Sequence, residues 1–301
     1  MLESLKSLID DPDEAIKAWP QEPRLYRRDP ASFRHLLTLE EVEQLVDAEC
    51  LALRNVVLLK DSVISDPCRY GDEDLPGMPQ RGAIRAHLND GGTISLRGLE
   101  RLKPAIAKLH AGLTDETGYR VHANAYLTPA GAQGIKYHFD PYLTLIVQLH
   151  GRKAWPVHEP FVVNPVREYG SFHLTGFTPE QRHFLEHTPP ERIYTLEPGD
   201  VFWLPRGWLH SPYTVGDQPS LHITIAFKER TPHWAAQQLI TEVLALALQD
   251  EQMRATLPPA AVVGDPRAAV QEAREYLIGS LMTADVEEMA ELLRVAARRG
   301  D

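Results

Sequence analysis

The feature that most constrains the fold is a series of short β-type segments between about residues 120 and 228. Stretches such as RVHANAYLTPAG, YLTLIVQLHGRKAWPV, ERIYTLEPGDVFWLP and SLHITIAF follow one another, with Pro, Gly and Asp between them. Short strands that are closely spaced by turn residues are typical of an antiparallel sandwich or barrel. We therefore expect a mainly β fold whose barrel occupies about residues 120–228.

Helical patterns flank this β-rich region. The segment TLEEVEQLV offers Thr38 as an N-cap with Glu41 three residues later, which is a capping box. Further upstream of the barrel, NVVLLKDSVI (residues 55–64) predicts a strand, because it is apolar and rich in β-branched residues. The sequence thus predicts helices and at least one strand ahead of the barrel.

The segment after residue 230 has a helical pattern throughout. Three sites carry typical helix-start signals: Thr231-Pro232, Asp265-Pro266 and Asp285. The first predicted helix has two apolar stripes side by side, formed by Leu239, Val243 and Leu246 and by Ile240, Leu244 and Leu248. A helix that is apolar over so wide an arc is buried on more than one side. We expect a domain at residues 1–230 and a C-terminal helical module at 231–301 that forms a homodimer, since most soluble oligomers are two-fold dimers.

Charge and cysteine content limit the partners and the compartment. The chain has 42 acidic and 31 basic residues, a formal net charge of −11, which argues against direct nucleic-acid binding and suits a basic peptide or protein partner. No apolar run reaches the roughly 20 residues that cross a bilayer. The N-terminus is acidic and lacks the layout of a signal peptide. Cys50 and Cys68 do not form a metal-type cluster, so we expect a cytoplasmic protein without membrane contact.

Three residues within the β-rich region form a candidate metal site. In a strand, residues i and i+2 point to the same side, so His138 and Asp140 direct an imidazole and a carboxylate to one point. His210 is the third candidate, because it follows the Pro205–Gly207 turn, which fixes its orientation. Two histidines and one carboxylate on one face of a metal suit non-haem Fe(II) chemistry with dioxygen. A lone His-x-Asp is a weak signal, and the turn-fixed histidine strengthens it.

Lys153 is the next candidate. The segment LHGRKAW predicts a tight hairpin at His150-Gly151 that pairs Gln148 with Lys153. Gln148 has the same strand parity as His138, so Lys153 would face the same interior. Because a buried lysine needs an anionic partner, a carboxylate is the expected ligand. Pro141 is expected to break the strand between the metal site and this hairpin.

These motifs together resemble a known family. NAYLTPAGAQGIKYHFD, LIVQLHGRKAWPVHEP, EPGDVFWLPRGWLHS and SLHITIAF resemble the JmjC-type cupin oxygenases, and within them the ribosomal-oxygenase branch of cupin-4 proteins. The resemblance implies a double-stranded β-helix (jelly-roll) barrel and a helical dimerisation region. The family also carries a winged-helix domain after those helices, for which residues 231–301 offer no room.

The resemblance also implies a site. His138, Asp140 and His210 match the Fe(II) ligands, and Lys153 matches the residue that holds the distal carboxylate of 2-oxoglutarate. Asn124 and Tyr126 match polar residues lining the cosubstrate pocket. Either Ser220 or His222 matches a polar residue on the strand after the last ligand, and the sequence does not decide between them.

The implied function is an oxygenase that uses Fe(II), 2-oxoglutarate and dioxygen to hydroxylate an amino-acid side chain in a peptide or protein. Two alternatives remain open at this point: the same chemistry on a free amino acid or small metabolite, and a non-catalytic cupin that only binds metal. The presence of all three candidate ligands together with Lys153 disfavours the non-catalytic alternative. The same iron chemistry on an N-methyl group would give demethylation, which ranks below hydroxylation because the sequence is closer to the hydroxylase branch.

Overall fold

The computed structural model describes residues 2–170, 172 and 176–299. The chain divides into two compact units. The first comprises the chain up to Thr117 together with Val121–Lys228, and the second comprises Gly118–Arg120 together with the chain from Glu229 onward. Within the described ranges, no helix combines the length and the apolar character that crossing a membrane requires.

An eight-stranded sheet forms one layer of the first unit. In sheet order its strands are β1 (Arg24–Arg27), β9 (Asp200–Leu204), β6 (Leu143–His150), β12 (Ser220–Lys228), β5 (Arg120–Thr128), β4 (Thr93–Leu96), β2 (Val56–Lys60) and β3 (Val63–Ile64). The following neighbouring strands pair antiparallel: β1 with β9, β9 with β6, β6 with β12, β5 with β4, β4 with β2, and β2 with β3. Strand β6 begins at Leu143, two residues after Pro141, in agreement with the predicted break.

A four-stranded sheet forms the opposite layer. Its strands are β7 (Arg152–His158), β8 (Arg192–Leu196), β10 (Leu209–His210) and β11 (Tyr213–Val215), with β7 pairing with the other three. A core cluster joins the two sheets, and its fully buried members are Ile146, Val157, Leu196, Phe202 and Leu204. Side chains from both layers thus meet in one hydrophobic core, and the predicted mainly β jelly-roll class with flanking helices is confirmed.

The first unit also contains helices. They are α1 (Glu3–Lys6), α2 (Pro12–Lys17), α3 (Leu39–Asp47), α4 (Ala83–Asn89), α5 (Leu99–Leu102), α6 (Pro104–Thr117) and α7 (Pro179–His187). The capping box that begins α3 is present as predicted, because the Thr38 hydroxyl accepts from the N–H of Glu41 while the Glu41 carboxylate accepts from the N–H of Thr38.

The second unit is helical, as predicted. Its helices are α8 (Pro232–Ala247), α9 (Arg267–Thr283) and α10 (Val286–Arg299), with a short π-helical turn at Ala260–Gly264. The three predicted helix starts are confirmed: the Thr231 hydroxyl caps α8, and the carboxylates of Asp265 and Asp285 accept from the first N–H groups of α9 and α10.

The predicted hairpin at His150-Gly151 is wrong. Strands β6 and β7 belong to different sheets, so that Gln148 pairs with β12 whereas Lys153 pairs with β8 and β11. Gly151 lies at the corner with φ of 62°, and a Cβ there would lie 2.1 Å from the carbonyl oxygen of Pro219. The chain therefore crosses from one sheet to the other at this glycine instead of folding back on itself.

The strand predicted at residues 55–64 is in fact two. Asp61 and Ser62 both have positive φ, 49° and 67°, and form a two-residue turn that folds β3 back onto β2. Positive φ at both central residues is the geometry of a type I′ hairpin turn. The sequence pattern lacks the Asn-Gly or Asp-Gly signal that marks most such turns, which is why the hairpin was not predicted.

Candidate active site

A backbone bridge holds His138 and His210 side by side. Each donates its N–H to the carbonyl oxygen of the other, over 3.1 Å from His138 and 2.9 Å from His210. Their imidazole rings lie 4.1 Å apart, centroid to centroid. Residues directly opposite each other on antiparallel strands project their side chains to the same face, so this bridge directs both imidazoles to one point.

The Pro205–Gly207 turn fixes Asp140 beside the two histidines. The N–H of Gly207 donates to the backbone carbonyl of Asp140 over 2.9 Å, and Gly207 adopts φ of 84°, a conformation that favours glycine. One carboxylate oxygen of Asp140 lies 3.9 Å from Nε2 of His210. One ligand atom from each of His138, Asp140 and His210 lies within 4.8 Å of the others, so the structure brings the three predicted ligands together.

Backbone hydrogen bonds set the tautomers of both histidines. Nδ1 of His138 lies 2.8 Å from the carbonyl oxygen of Lys136, and Nδ1 of His210 lies 2.9 Å from that of Trp208. A carbonyl only accepts, so each Nδ1 carries the proton and each Nε2 presents a lone pair. Metal-binding histidines usually donate their second nitrogen to such a partner. Burial also lowers the pKa of His210, although Asp140 opposes this, and thus favours the neutral imidazole that binds metal.

Lys153 is buried without a carboxylate. Its side chain is 3% exposed, and its ammonium donates to the hydroxyl of Thr128 over 2.8 Å. Among the salt bridges of the described residues, none includes Lys153. Burial alone lowers its pKa to about 7. A buried cation of this kind is costly unless a ligand supplies the missing anion.

One cavity contains both the metal-type cluster and Lys153. It is lined by His138, Asp140, His210, Lys153, Tyr126, His222, Thr93, Thr144, Thr224, Trp155, Leu59, Gly134, Ile135, Ile146 and Pro212. His210 is opposite Val157 on β7, and Lys153 lies four residues earlier on that strand, roughly 13 Å away along it. A metal ion, a short dicarboxylate and the lysine side chain can together span that length. Strand β7 therefore places Lys153 in the same cavity as the cluster, at a distance that a bound dicarboxylate can bridge.

The other predicted residues take different positions. Tyr126 lines the cavity and its ring stacks on His222, with centroids 5.1 Å apart and an interplanar angle of 11°. Asn124 does not line the cavity and hydrogen-bonds to Tyr126 instead. Ser220 is also outside the lining, and its hydroxyl accepts from the amide of Gln148 over 3.0 Å.

His222, by contrast, lines the cavity. Burial, followed by the charge of Lys153, holds the pKa of His222 well below its usual value. Its Nδ1 is buried and has no hydrogen-bond partner in the described structure. A buried polar atom without a partner is costly, so this nitrogen is suited to a ligand or a water molecule.

Sequence reasoning missed three polar residues of the site. Thr128 bonds to Lys153 and also accepts from the hydroxyl of Thr93 over 3.1 Å. The Tyr142 hydroxyl hydrogen-bonds to Asp140, and the Asp140 charge, together with burial, raises the pKa of Tyr142. Thr128 has the strand parity of Asn124 and Tyr126, so the period of two along β5 could have identified it.

Part of this chain is similar to a known domain family and to curated proteins. Residues 101–235 match the JmjC domain family. The bifunctional lysine-specific demethylase and histidyl-hydroxylase NO66 of Dictyostelium discoideum is 36% identical over 46% of this chain and 26% of its own length. Ribosomal oxygenase 2 of Rattus norvegicus is 28% identical over 80% of this chain and 50% of its own length. The chain thus spans between about a quarter and a half of these two relatives.

Solved structures show the same fold. The Escherichia coli ribosomal oxygenase YcfD in complex with cobalt and 2-oxoglutarate superposes with a TM-score of 0.53 at 17% identity, over 95% of this chain and 70% of that one. Another E. coli YcfD structure gives a TM-score of 0.56 at 16% identity, over 95% and 71% of the two chains. At this level of identity the similarity concerns the fold alone.

Proposed function

We propose, from the match of residues 101–235 to the JmjC domain family, that this chain is an Fe(II)- and 2-oxoglutarate-dependent oxygenase hydroxylating an amino-acid side chain in a peptide or protein. The observation that carries the proposal is a single cavity containing a His-Asp-His cluster and a buried lysine without a carboxylate partner. Two histidines and one carboxylate form the ligand set of non-haem Fe(II) oxygenases. The lysine adds a site for the far end of a dicarboxylate.

The proposed roles follow from the positions of the side chains. His138 and His210 would bind the metal through Nε2, and Asp140 through a carboxylate oxygen. Bound Fe(II) would use 2-oxoglutarate and dioxygen to insert one oxygen atom into a C–H bond, with succinate and carbon dioxide as the other products. The protein would position the reactants.

We further assign the cosubstrate pocket. Lys153 would hold the distal carboxylate of 2-oxoglutarate, with its ammonium positioned by the Thr128 hydroxyl, and a charge-assisted hydrogen bond there would be strong because the site is buried. Tyr126 and His222 would form its wall, with the unpartnered Nδ1 of His222 available to a cosubstrate oxygen. Between the two candidates on β12 we therefore choose His222 and assign Ser220 and Asn124 supporting roles.

The proposed substrate is a basic peptide or protein. The names of the two relatives describe a bifunctional lysine-specific demethylase and histidyl-hydroxylase and a ribosomal oxygenase, and the net charge of −11 suits a basic partner. To test this, the purified enzyme with Fe(II) and 2-oxoglutarate is given either a basic protein fraction or a pool of free amino acids from its source cells. We expect the protein fraction to stimulate succinate formation, whereas stimulation only by the amino acids would assign a small-molecule substrate.

The pKa of Lys153 predicts a pH dependence of 2-oxoglutarate binding. Burial lowers this pKa to about 7, so the free enzyme holds the ammonium form below that pH and loses it as the pH rises. The distal carboxylate needs the ammonium, so KM for 2-oxoglutarate should be flat below about pH 7 and rise up to about tenfold per pH unit above it. Lys153→Arg, which stays protonated, should have a raised KM without this slope. A wild-type KM independent of pH through this range would contradict the assignment.

We propose that residues 1–230 act as the catalytic domain and residues 231–301 as a dimerisation module. Within the helical unit, Val243 of α8 is buried, whereas Ile240, Leu244 and Leu248 are 44%, 51% and 68% exposed. One apolar stripe is therefore covered only in part by the unit itself. A second copy of the chain would cover it, since most soluble oligomers are two-fold dimers.

Light scattering tests the dimer. The full chain should have twice the monomer mass at micromolar concentration, and Leu244→Glu should shift it towards monomer because a buried charge without a partner is costly. Leu75→Glu, which places the same charge on an exposed leucine of the first unit, is the matched control and should stay dimeric. A monomeric wild type would refute the dimer, and a dimeric Leu244→Glu would place the interface elsewhere.

We also propose a cytoplasmic location. Cys50 and Cys68 are exposed and unpaired, and a reducing compartment keeps thiols in that state.

A further inference from the structure

The outermost strand of the large sheet, β3, is uncovered. It is the last strand in the sheet order, and its two residues, Val63 and Ile64, are 63% and 55% exposed. Their side chains point to opposite faces, so both faces of this edge reach solvent. An exposed apolar edge strand is a template for pairing with another chain, and proteins usually protect such edges.

The hydrogen-bond pattern shows which backbone groups this edge offers. Residues 60 and 63 flank the two-residue turn and form a hydrogen-bonded pair. The N–H of Ser65 donates to the carbonyl of Leu58 over 2.9 Å. The pair between them, Leu59 and Ile64, is therefore a non-hydrogen-bonded pair. It follows that the N–H and C=O of Ile64 point away from β2, towards solvent.

This edge is continuous with the active-site cavity. Leu59, directly opposite Ile64, lines that cavity, and paired residues share a sheet face. Ser62 in the turn binds the segment that leads to His138: its N–H donates to the carbonyl of Gly134 over 2.9 Å, and its hydroxyl accepts from the N–H of Lys136 over 2.8 Å. A strand added beside β3 would thus run along the cavity, with alternate side chains facing it.

We propose that β3 is the docking edge for an extended segment of the substrate polypeptide, which adds to the large sheet as a further antiparallel strand. This inference rests on the proposed function for the identity of the occupant. One substrate residue would exchange two hydrogen bonds with Ile64, and its neighbours would place a side chain in the cavity. The docking edge thus gives a backbone-based mode of recognition that tolerates different substrate sequences.

Charges near the docking edge favour a basic segment. Asp61 precedes β3 and Asp66 follows it, and both are exposed. Two cations lie nearby. Lys60 is neutralised, since its ammonium lies 2.5 Å from the carboxylate of Asp90, and Lys136, whose N–H donates to the Ser62 hydroxyl, is exposed. The carboxylates of Asp61 and Asp66 are therefore in excess over the Lys136 ammonium. A peptide with alternating basic and β-branched residues matches this edge in both charge and strand propensity.

A pair of variants separates backbone pairing from side-chain contact. Ile64→Pro removes the N–H that points to solvent and leaves the β2–β3 hydrogen bonds intact, because proline is tolerated at such edge positions. Ile64→Ala removes the apolar side chain and retains the N–H. The probe is a synthetic peptide of alternating lysine and valine, with a glutamate–valine peptide as the charge control. The readouts are peptide affinity and the amide NMR shift of residue 64.

We expect the lysine–valine peptide to shift the Ile64 amide and to bind Ile64→Pro about tenfold more weakly than wild type. Ile64→Ala should lose less affinity for this peptide than Ile64→Pro does. The glutamate–valine peptide should bind wild type more weakly than the lysine–valine peptide does. Equal affinity for Ile64→Pro and wild type, or no shift at Ile64 at millimolar peptide, would overturn the proposal. 2-Oxoglutarate binding, measured on the same samples, should be unchanged in both variants. If wild-type protein did not bind 2-oxoglutarate, that result would refute the oxygenase assignment and not the docking edge.

Discussion

Replacement of Asp140 by alanine is expected to abolish succinate formation and high-affinity metal binding while leaving the fold intact. The carboxylate is the only anionic member of the cluster, so its loss removes both a ligand and the charge that compensates the cation. Loss of an outer partner of a metal ligand costs roughly 10–100-fold in affinity, and loss of the ligand itself should cost more. His138→Ala should have the same effect, because His138 contributes one of the two imidazoles.

Metal titration and thermal unfolding measure the two parts of this expectation. Neither His138 nor Asp140 belongs to the apolar core cluster, so the unfolding temperature of the metal-free variants should stay close to that of metal-free wild type. His183→Ala is the control, since His183 is exposed on α7 away from the cluster. That variant should keep its metal and its turnover. Normal turnover by Asp140→Ala or His138→Ala would show that the cluster is not the catalytic centre.

Replacement of Lys153 is expected to act on the cosubstrate and not on the metal. Removing one partner of a buried charge pair commonly costs about 3–5 kcal/mol, so Lys153→Ala should raise KM for 2-oxoglutarate by roughly two to four orders of magnitude. Metal affinity should be nearly unchanged, because Lys153 lies about four residues along β7 from the position opposite His210.

Stability provides an independent readout for the same residue. The free protein holds Lys153 buried without an anionic partner, and its lowered pKa reflects this cost. Lys153→Met keeps most of the side-chain volume without the charge, so it should be at least as stable as wild type while 2-oxoglutarate binding is lost. Lys153→Arg should also bind 2-oxoglutarate poorly, because its planar head differs from the ammonium for which the pocket is shaped. A Lys153→Ala variant with an unchanged KM would remove this residue from the site.

The metal cluster could be predicted because its determinants are local. The i, i+2 spacing of His138 and Asp140 and the Pro205–Gly207 turn before His210 each fix an orientation within a few residues. Once the fold brings the two segments together, the backbone bridge between His138 and His210 forms. The helix starts and the capping box at Thr38 were predictable for the same reason, since each involves neighbours in sequence.

The partners of Lys153 could not be predicted, because they depend on which sheet each strand joins. A glycine between two β-type segments is compatible with a hairpin and with a crossing between sheets, and the contact of Gly151 with Pro219 that selects the crossing lies about 70 residues away in sequence. The same limit applies to β1 (Arg24–Arg27), which pairs with β9 (Asp200–Leu204), a strand that comes much later in the sequence. Such long-range pairing leaves no local periodic signal.

The single most direct test of the oxygenase assignment is mass spectrometry of a basic protein fraction after incubation with the enzyme, Fe(II), 2-oxoglutarate and isotopically labelled dioxygen. We expect a peptide that gains one labelled oxygen atom on an amino-acid side chain with wild-type enzyme and remains unmodified with Asp140→Ala. Succinate formation by wild type without any labelled peptide would contradict a protein substrate. An oxygen atom that originates from water, or modification that persists in Asp140→Ala, would contradict the assignment of this cavity as the oxygenase centre.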